Sequence, residues 1–251
     1  MNLSFQDIFV FAELKLEKDV FKHYTLDEVK DRYDSNFIAF KVMPTILQFQ
    51  EVEVYLKQFH FDRDQKFLKF VFPQDMELPV ELKKYVIAQG YEINFLEMYA
   101  TQPTAFIKGR TNTDVKVEYV TKETLPQYTA LHYEDALQWG EKYALDKRNM
   151  LIRDFHEQRK KQIVAIHNDE VIGSADVIVK EATAELDHFY VLPSYQRQGV
   201  GKSIQQFVMN EFVDKIIILV ADGEDTPREM YTKQGYNYIG KQISILKTKF
   251  E

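Results

Sequence analysis

One loop in this chain has the residue types and spacing to hold a phosphate. It runs Gln196-Arg197-Gln198-Gly199-Val200-Gly201-Lys202. Helix N-termini present backbone N–H groups with no intrahelical partner and a partial positive charge. Glycines let the backbone approach an anion closely and adopt positive φ. Arg197 and Lys202 add charge, so a pyrophosphate is a suitable guest. An ordinary strand-to-helix turn with a glycine at the bend also fits these residues. Neither a G-x-G-x-x-G dinucleotide fingerprint nor a G-x-x-x-x-G-K-[ST] P-loop is present.

The elements that must position this loop are a strand and a helix. Residues 185–192 are aromatic and aliphatic, and Pro193 closes them, which predicts a strand. From Gly201, the residues Ile204, Phe207, Val208 and Phe212 recur at helical steps, so one stripe faces a core. Residues 215–220, Lys-Ile-Ile-Ile-Leu-Val, are apolar without alternation and predict a buried parallel strand. Upstream, residues 115–120 predict a strand and 125–153 a largely helical stretch. Residues 162–167 and 171–179 predict a hairpin across Asn168-Asp-Glu. In the first half, residues 17–33 suggest one or two short helices, with Thr25-Leu-Asp-Glu28 as a capping box. A strand over 36–42, a helix over 45–59, a strand over 67–72, a helix from Pro79 to Ala88 and a strand over 92–101 follow. The polar run 108–114 reads as a linker, dividing the chain into a 1–112 domain and a 113–251 domain.

The order strand, Gln196-x-x-Gly199-x-Gly201 loop, helix, strand resembles the acetyl-CoA loop of the GNAT N-acetyltransferase superfamily. Downstream, Tyr231 stands four residues before Gly235-Tyr236, similar to that family's last helix. The resemblance covers residues 114–250. It implies an α/β fold: a twisted central sheet with flanking helices, preceded by a second N-terminal domain. That first domain looks like a degenerate copy, because Gln89-Gly90-Tyr91 after a helix matches Gln234-Gly235-Tyr236. Aligned on those residues, Val86 falls opposite Tyr231, and the first half lacks the glycine loop. Only residues 236–251 remain where the family usually has a full hairpin, leaving room for one long strand or a very short hairpin.

The resemblance also implies a chemistry. Acetyl-CoA would serve as co-substrate, and the acceptor would be a small-molecule or peptide amine. Phe189 and Val191 would bind the pantetheine arm, and Gln196, Arg197, Gln198, Gly199, Val200, Gly201 and Lys202 the phosphates. Asp187, nine positions before the loop, corresponds to a glutamate base in one branch of the family. Glu185 lies two residues earlier on the same strand face and could share the task. His188 would point to the opposite face unless the strand bulges. Tyr231 corresponds to the acid that protonates the leaving thiolate, which a phenol with pKa near ~10 can do. Trp139 and Tyr133 are candidates to line the acceptor pocket, since aromatics suit a cationic amine. A CoA-binding or structural module without turnover is the competing reading. An acyl group other than acetyl, such as succinyl, fits as well.

Composition narrows the class. With 45% hydrophobic residues the chain can fill a core, so disorder is excluded. Cysteine is absent, which removes thiolate zinc sites, disulfides and a cysteine acyl carrier, and so favours direct attack by the amine. A formal net charge of −7 argues against a nucleic-acid surface. The 6 histidines show no H-x₃-H or H-E-x-x-H spacing, so no metal site is expected. The N-terminus has no basic, long apolar segment of the membrane or secretory type, and a cytoplasmic location is expected.

Overall fold

The computed structural model describes residues 3–107, 109, 111–158, 160–223 and 227–250. Two units form, and neither is continuous in sequence. The first comprises Met1–Met98, Ala221–Pro227 and Ile239–Glu251; the second comprises Tyr99–Val220 and Arg228–Tyr238. The sequence division at 112/113 is therefore not the spatial one. Two residues of the expected linker, Lys108 and Arg110, lie outside the described residues.

In the first unit, β1 (Glu13–Glu17) and β2 (Phe21–Thr25) form an antiparallel hairpin. One or two short helices were expected over residues 17–33; short 3₁₀ turns do form at Asp27–Val29 and Tyr33–Ser35, but Phe21–Thr25 is a strand. Phe21, His23 and Thr25 alternate inward with Lys22 and Tyr24 between them, a period of two that suits a strand. The Thr25 hydroxyl, expected to cap a helix, donates instead to the buried Asn36 side-chain carbonyl at 3.1 Å. Next come β3 (Phe37–Phe40), α1 (Ile46–Phe61) and β4 (Leu68–Val71), with β3 and β4 parallel. Thr45 and Gln48 form a capping box that fixes the start of α1. α2 (Val80–Ala88) and β5 (Glu92–Thr101) complete this half. The core is aromatic, with Phe40, Phe49, Phe70 and Phe72 buried together.

The second unit contains β6 (Lys116–Tyr119), α3 (Leu125–Ala136), α4 (Glu141–Glu157), β7 (Lys161–His167), β8 (Glu170–Val179), β9 (Thr183–Val191), α5 (Val200–Glu211), β10 (Ile216–Asp222) and α6 (Pro227–Lys233). Its strands lie in the order β10-β9-β8-β7-β6, with β9 and β10 parallel and the others antiparallel. Asn168 and Asp169 take φ of 49° and 62°, the left-handed pair that a tight β7–β8 hairpin needs. Of the expected last helix, Asp225 and Thr226 lie outside the described residues.

Of the two arrangements open to the last segment, the long strand forms, as β11 (Asn237–Lys247). Its residues Ser244–Lys247 pair antiparallel with Val71–Leu68, completing the first unit's sheet. The two Gln-Gly-Tyr corners share a backbone pattern. Gly90 and Gly235 take φ of 79° and 88°. The Tyr91 and Tyr236 N–H groups bond back to the Val86 and Tyr231 carbonyls, each at 3.0 Å. Val86 thus stands at the first corner where Tyr231 stands at the second. Among the described residues, no helix is long and apolar enough to cross a membrane.

Candidate active site

The site begins where β9 departs from regular pairing. Asp187 stands opposite Asp176, and Tyr190 opposite Ser174. β8 advances from 174 to 176 while β9 covers 187 to 190, so β9 carries one extra residue, a bulge. His188 takes φ of 45° there. Strict alternation would send His188 away from the face of Asp187. The bulge cancels that, and the His188 ring turns to Asp176, with Nδ1 3.0 Å from Oδ2. The parallel pairing of β9 with β10 runs from Thr183 opposite Ile216 to Leu186 opposite Leu219, one residue short of Asp187.

Asp176 is the centre of a buried polar cluster. It is fully buried within β8, followed by the apolar Val177 and Ile178. The Tyr128 hydroxyl, from α3, donates to its Oδ1 at 2.5 Å. Lys160, just before β7, donates to Oδ2 at 3.3 Å. The Lys160 ammonium is also 3.7 Å from Asp154 and 3.8 Å from Asp187. Burial alone would raise the Asp176 carboxyl. Lys160 and His188 outweigh it and hold the group well below the usual carboxylate range. Asp187 behaves alike: burial raises it, but His188 and Lys160 leave its pKa lowered. On α3, His132 shares a hydrogen bond of 3.0 Å with the Ser174 hydroxyl. Burial pulls its pKa down to about 3, so it stays neutral near pH 7.

The loop forms the predicted turn. Gly199 is the N-cap of α5, with φ of 86° and no side-chain cap. The first helical bond runs from the Ser203 N–H to the Gly199 carbonyl at 3.0 Å. The N–H groups of Val200, Gly201 and Lys202 therefore stand ahead of the helical ladder. Gln196 ties the loop to the end of β9, its amide donating to the Val191 carbonyl at 3.1 Å. A Cβ on Gly201 would lie 3.1 Å from the Phe189 ring, so glycine is what lets strand and helix approach. Arg197 and Gln198 are exposed. Lys202 turns elsewhere, its ammonium 5.9 Å from the Phe106 ring centroid.

The remaining predicted residues divide. Tyr231 on α6 packs its ring 4.9 Å from Tyr99 and 5.4 Å from Tyr236. Burial raises its phenol above the ordinary value, which keeps it protonated and able to donate. Glu185 is buried mid-sheet, opposite Ile178 on one side and Ile218 on the other. Trp139, on the turn between α3 and α4, is 61% exposed. Tyr133 lies half-buried beneath the Arg148 guanidinium at 5.3 Å. Sequence reasoning missed Tyr128, His132, Lys160 and Asp176 as site residues. One signal was available: Asp176 is the charge inside the run Val171-Ile-Gly-Ser-Ala-Asp-Val-Ile-Val, and a charge in a buried strand requires partners. Among the described residues, no cluster of His, Asp and Glu is placed to hold a metal.

The second unit is thus a mixed α/β sheet in which the parallel β9–β10 pairing stops at Leu186 and the helix that follows β9 is capped by a left-handed glycine. Residues 127–244 match the model of the acetyltransferase (GNAT) domain, so the C-terminal half is a GNAT domain. Residues 3–99 match a domain of unknown function (DUF5613). No curated protein matches the chain. Among solved structures, a functionally unknown conserved protein from Staphylococcus epidermidis ATCC 12228 is 29% identical, with TM-score 0.90, covering 99% of this chain and 98% of its own. A GCN5-related N-acetyltransferase from Kribbella flavida shares the fold at 11% identity and TM-score 0.63, covering 95% of this chain and 90% of its own. A tandem GNAT protein from the clavulanic acid biosynthesis pathway shares it at 10% identity and TM-score 0.52, covering 84% and 74%.

Proposed function

We propose that this protein is an acetyl-CoA-dependent N-acetyltransferase that passes the acetyl group directly to a primary amine of a small molecule or peptide. The observation that carries the reading is the α5 N-terminus: it is capped by left-handed Gly199, has no side-chain cap, and lies in a matched GNAT domain. The backbone of Val200 to Lys202 and the Arg197 guanidinium would hold the phosphates of acetyl-CoA. The β9 segment past Leu186, with Phe189 and Val191, would take its pantetheine arm as an added strand. Bound there, acetyl-CoA supplies the acetyl group as a thioester.

The chain's own groups then have defined tasks. Asp187, held ionised beside Lys160, attracts the acceptor ammonium to the gap beside β9. Tyr231, kept protonated by burial, gives its proton to the departing thiolate. Tyr133 and Trp139 frame the acceptor from the α3–α4 side.

Thiol release from acetyl-CoA across a panel of amines tests this. One or more amines should give turnover, and Tyr231→Phe should lower kcat on the order of a hundredfold. Binding of acetyl-CoA without turnover on any amine would establish the non-catalytic reading instead. An undiminished rate in Tyr231→Phe would remove the tyrosine from its role.

A further inference from the structure

Around Asp176, one group is aimed for proton transfer and left untied. His188 reaches Asp176 through Nδ1 at 3.0 Å, and its side chain is 16% exposed. A carboxylate beside Nδ1 fixes the proton on that nitrogen and leaves the Nε2 lone pair as the base. Among the described residues Nε2 has no partner, and it is not sealed from water. The bulge makes this possible. A non-glycine residue at φ of 45° is strained by about 1 kcal/mol or more. The hydrogen bond to Asp176 is what the strained backbone gains.

We infer that His188 is the general base that takes a proton from the acceptor ammonium, with Asp176 as the positioning residue that sets its tautomer and orientation. This rests on the acetyltransfer reading and names the base within it. The other candidates are committed elsewhere. Asp187 is a weakened base beside Lys160. Glu185 is buried between two isoleucines. His132 is buried and bonded to Ser174. The groups placed against His188 are Asp176 from β8, the His132 ring from α3 at 5.9 Å and Asp187 beside it; Tyr128 and Lys160 reach Asp176, and Asp154 reaches Lys160.

The protons balance. The ammonium gives one proton to Nε2 of His188, and the neutral nitrogen attacks the thioester carbonyl. The C–N bond forms and the C–S bond breaks. Tyr231 protonates the thiolate and regains the second proton that the acylated nitrogen sheds. His188 returns its proton to solvent.

Two measurements on the full chain test the assignment. Nitrogen-15 NMR of the histidine side chains, without acyl donor, should show His188 as the Nδ1–H tautomer when neutral. The kcat/KM profile against pH should rise on one limb. His188→Gln should lower kcat/KM at least about a hundredfold and abolish that limb, while the thermal shift given by acetyl-CoA is kept. Asp187→Asn should raise KM and retain the limb. Asp176→Asn, where it folds, should move the limb to lower pH, because the imidazolium loses its carboxylate; a merely structural role would lower Tm without moving it. Turnover with an intact limb in His188→Gln, or an Nε2–H tautomer, overturns the assignment while acetyltransfer stands. No turnover on any amine in the wild-type chain overturns both.

Discussion

Acidification should weaken the first unit through two buried histidines. His23 and His60 are both fully buried. Each uses Nδ1, toward the Tyr55 hydroxyl at 2.9 Å and the Phe67 carbonyl at 2.6 Å. Each leaves Nε2 buried without a partner among the described residues. Burial pulls both from 6.5 to about 4, and for His23 the neighbouring His60 adds to the effect. The sign follows from proton binding. The unfolded chain takes a proton on each near pH 6.5, and the folded chain does not until about 4. Stability is thus complete above 6.5 and falls with pH through that window. The loss is about 2 kcal/mol per histidine by pH 5 and about 3 kcal/mol at the bottom. Urea unfolding followed by circular dichroism, from pH 8 to 5, reads this directly. His60→Asn keeps a donor for the Phe67 carbonyl and removes one titrating group. The difference between wild type and His60→Asn should shrink by about 2 kcal/mol from pH 7 to 5. His132 contributes with the same sign in both proteins and cancels in that difference. A difference independent of pH would refute the reasoning, because it would mean that the His60 ring is charged in the folded chain as readily as in the unfolded one.

Other substitutions probe the second unit. Lys160→Met removes the ammonium that stands 3.3 Å from Asp176, 3.7 Å from Asp154 and 3.8 Å from Asp187, and should cost about 3–5 kcal/mol in urea unfolding. Gly235→Ala puts a methyl group 2.3 Å from the Ala105 carbonyl oxygen at a φ of 88°, and should cost more than about 2 kcal/mol. Gly201→Ala crowds the Phe189 ring at 3.1 Å; calorimetry should show acetyl-CoA binding weakened on the order of tenfold in a chain that still folds.

Much of the second unit could be read from the sequence because its signals are local. The glycine loop, the apolar run that becomes β10, the Asn168-Asp169 hairpin and the Gly-Tyr corner each depend on neighbouring residues. What escaped depends on distant ones. The β9 bulge and the turn of His188 answer to Asp176 on another strand, so strand alternation pointed His188 the wrong way. Lys160 joins the cluster only once α4, β8 and β9 converge on it. In the first unit, residues 17–25 mix charged and aromatic types, and helical spacing competed with a period of two until pairing with β3 decided it. The pairing of β11 with β4 joins residues far apart in the sequence, and no local signal could announce it.

Thermal unfolding of the protein with and without millimolar acetyl-CoA, beside inorganic pyrophosphate as a control, shows whether the Gly199–Lys202 turn binds acetyl-CoA. At about a hundred times its Kd, acetyl-CoA should add about 2.7 kcal/mol and raise Tm by several degrees, with Gly199→Val abolishing the rise. An unchanged Tm with acetyl-CoA, or an equal rise in Gly199→Val, would mean that the turn does not hold the cofactor.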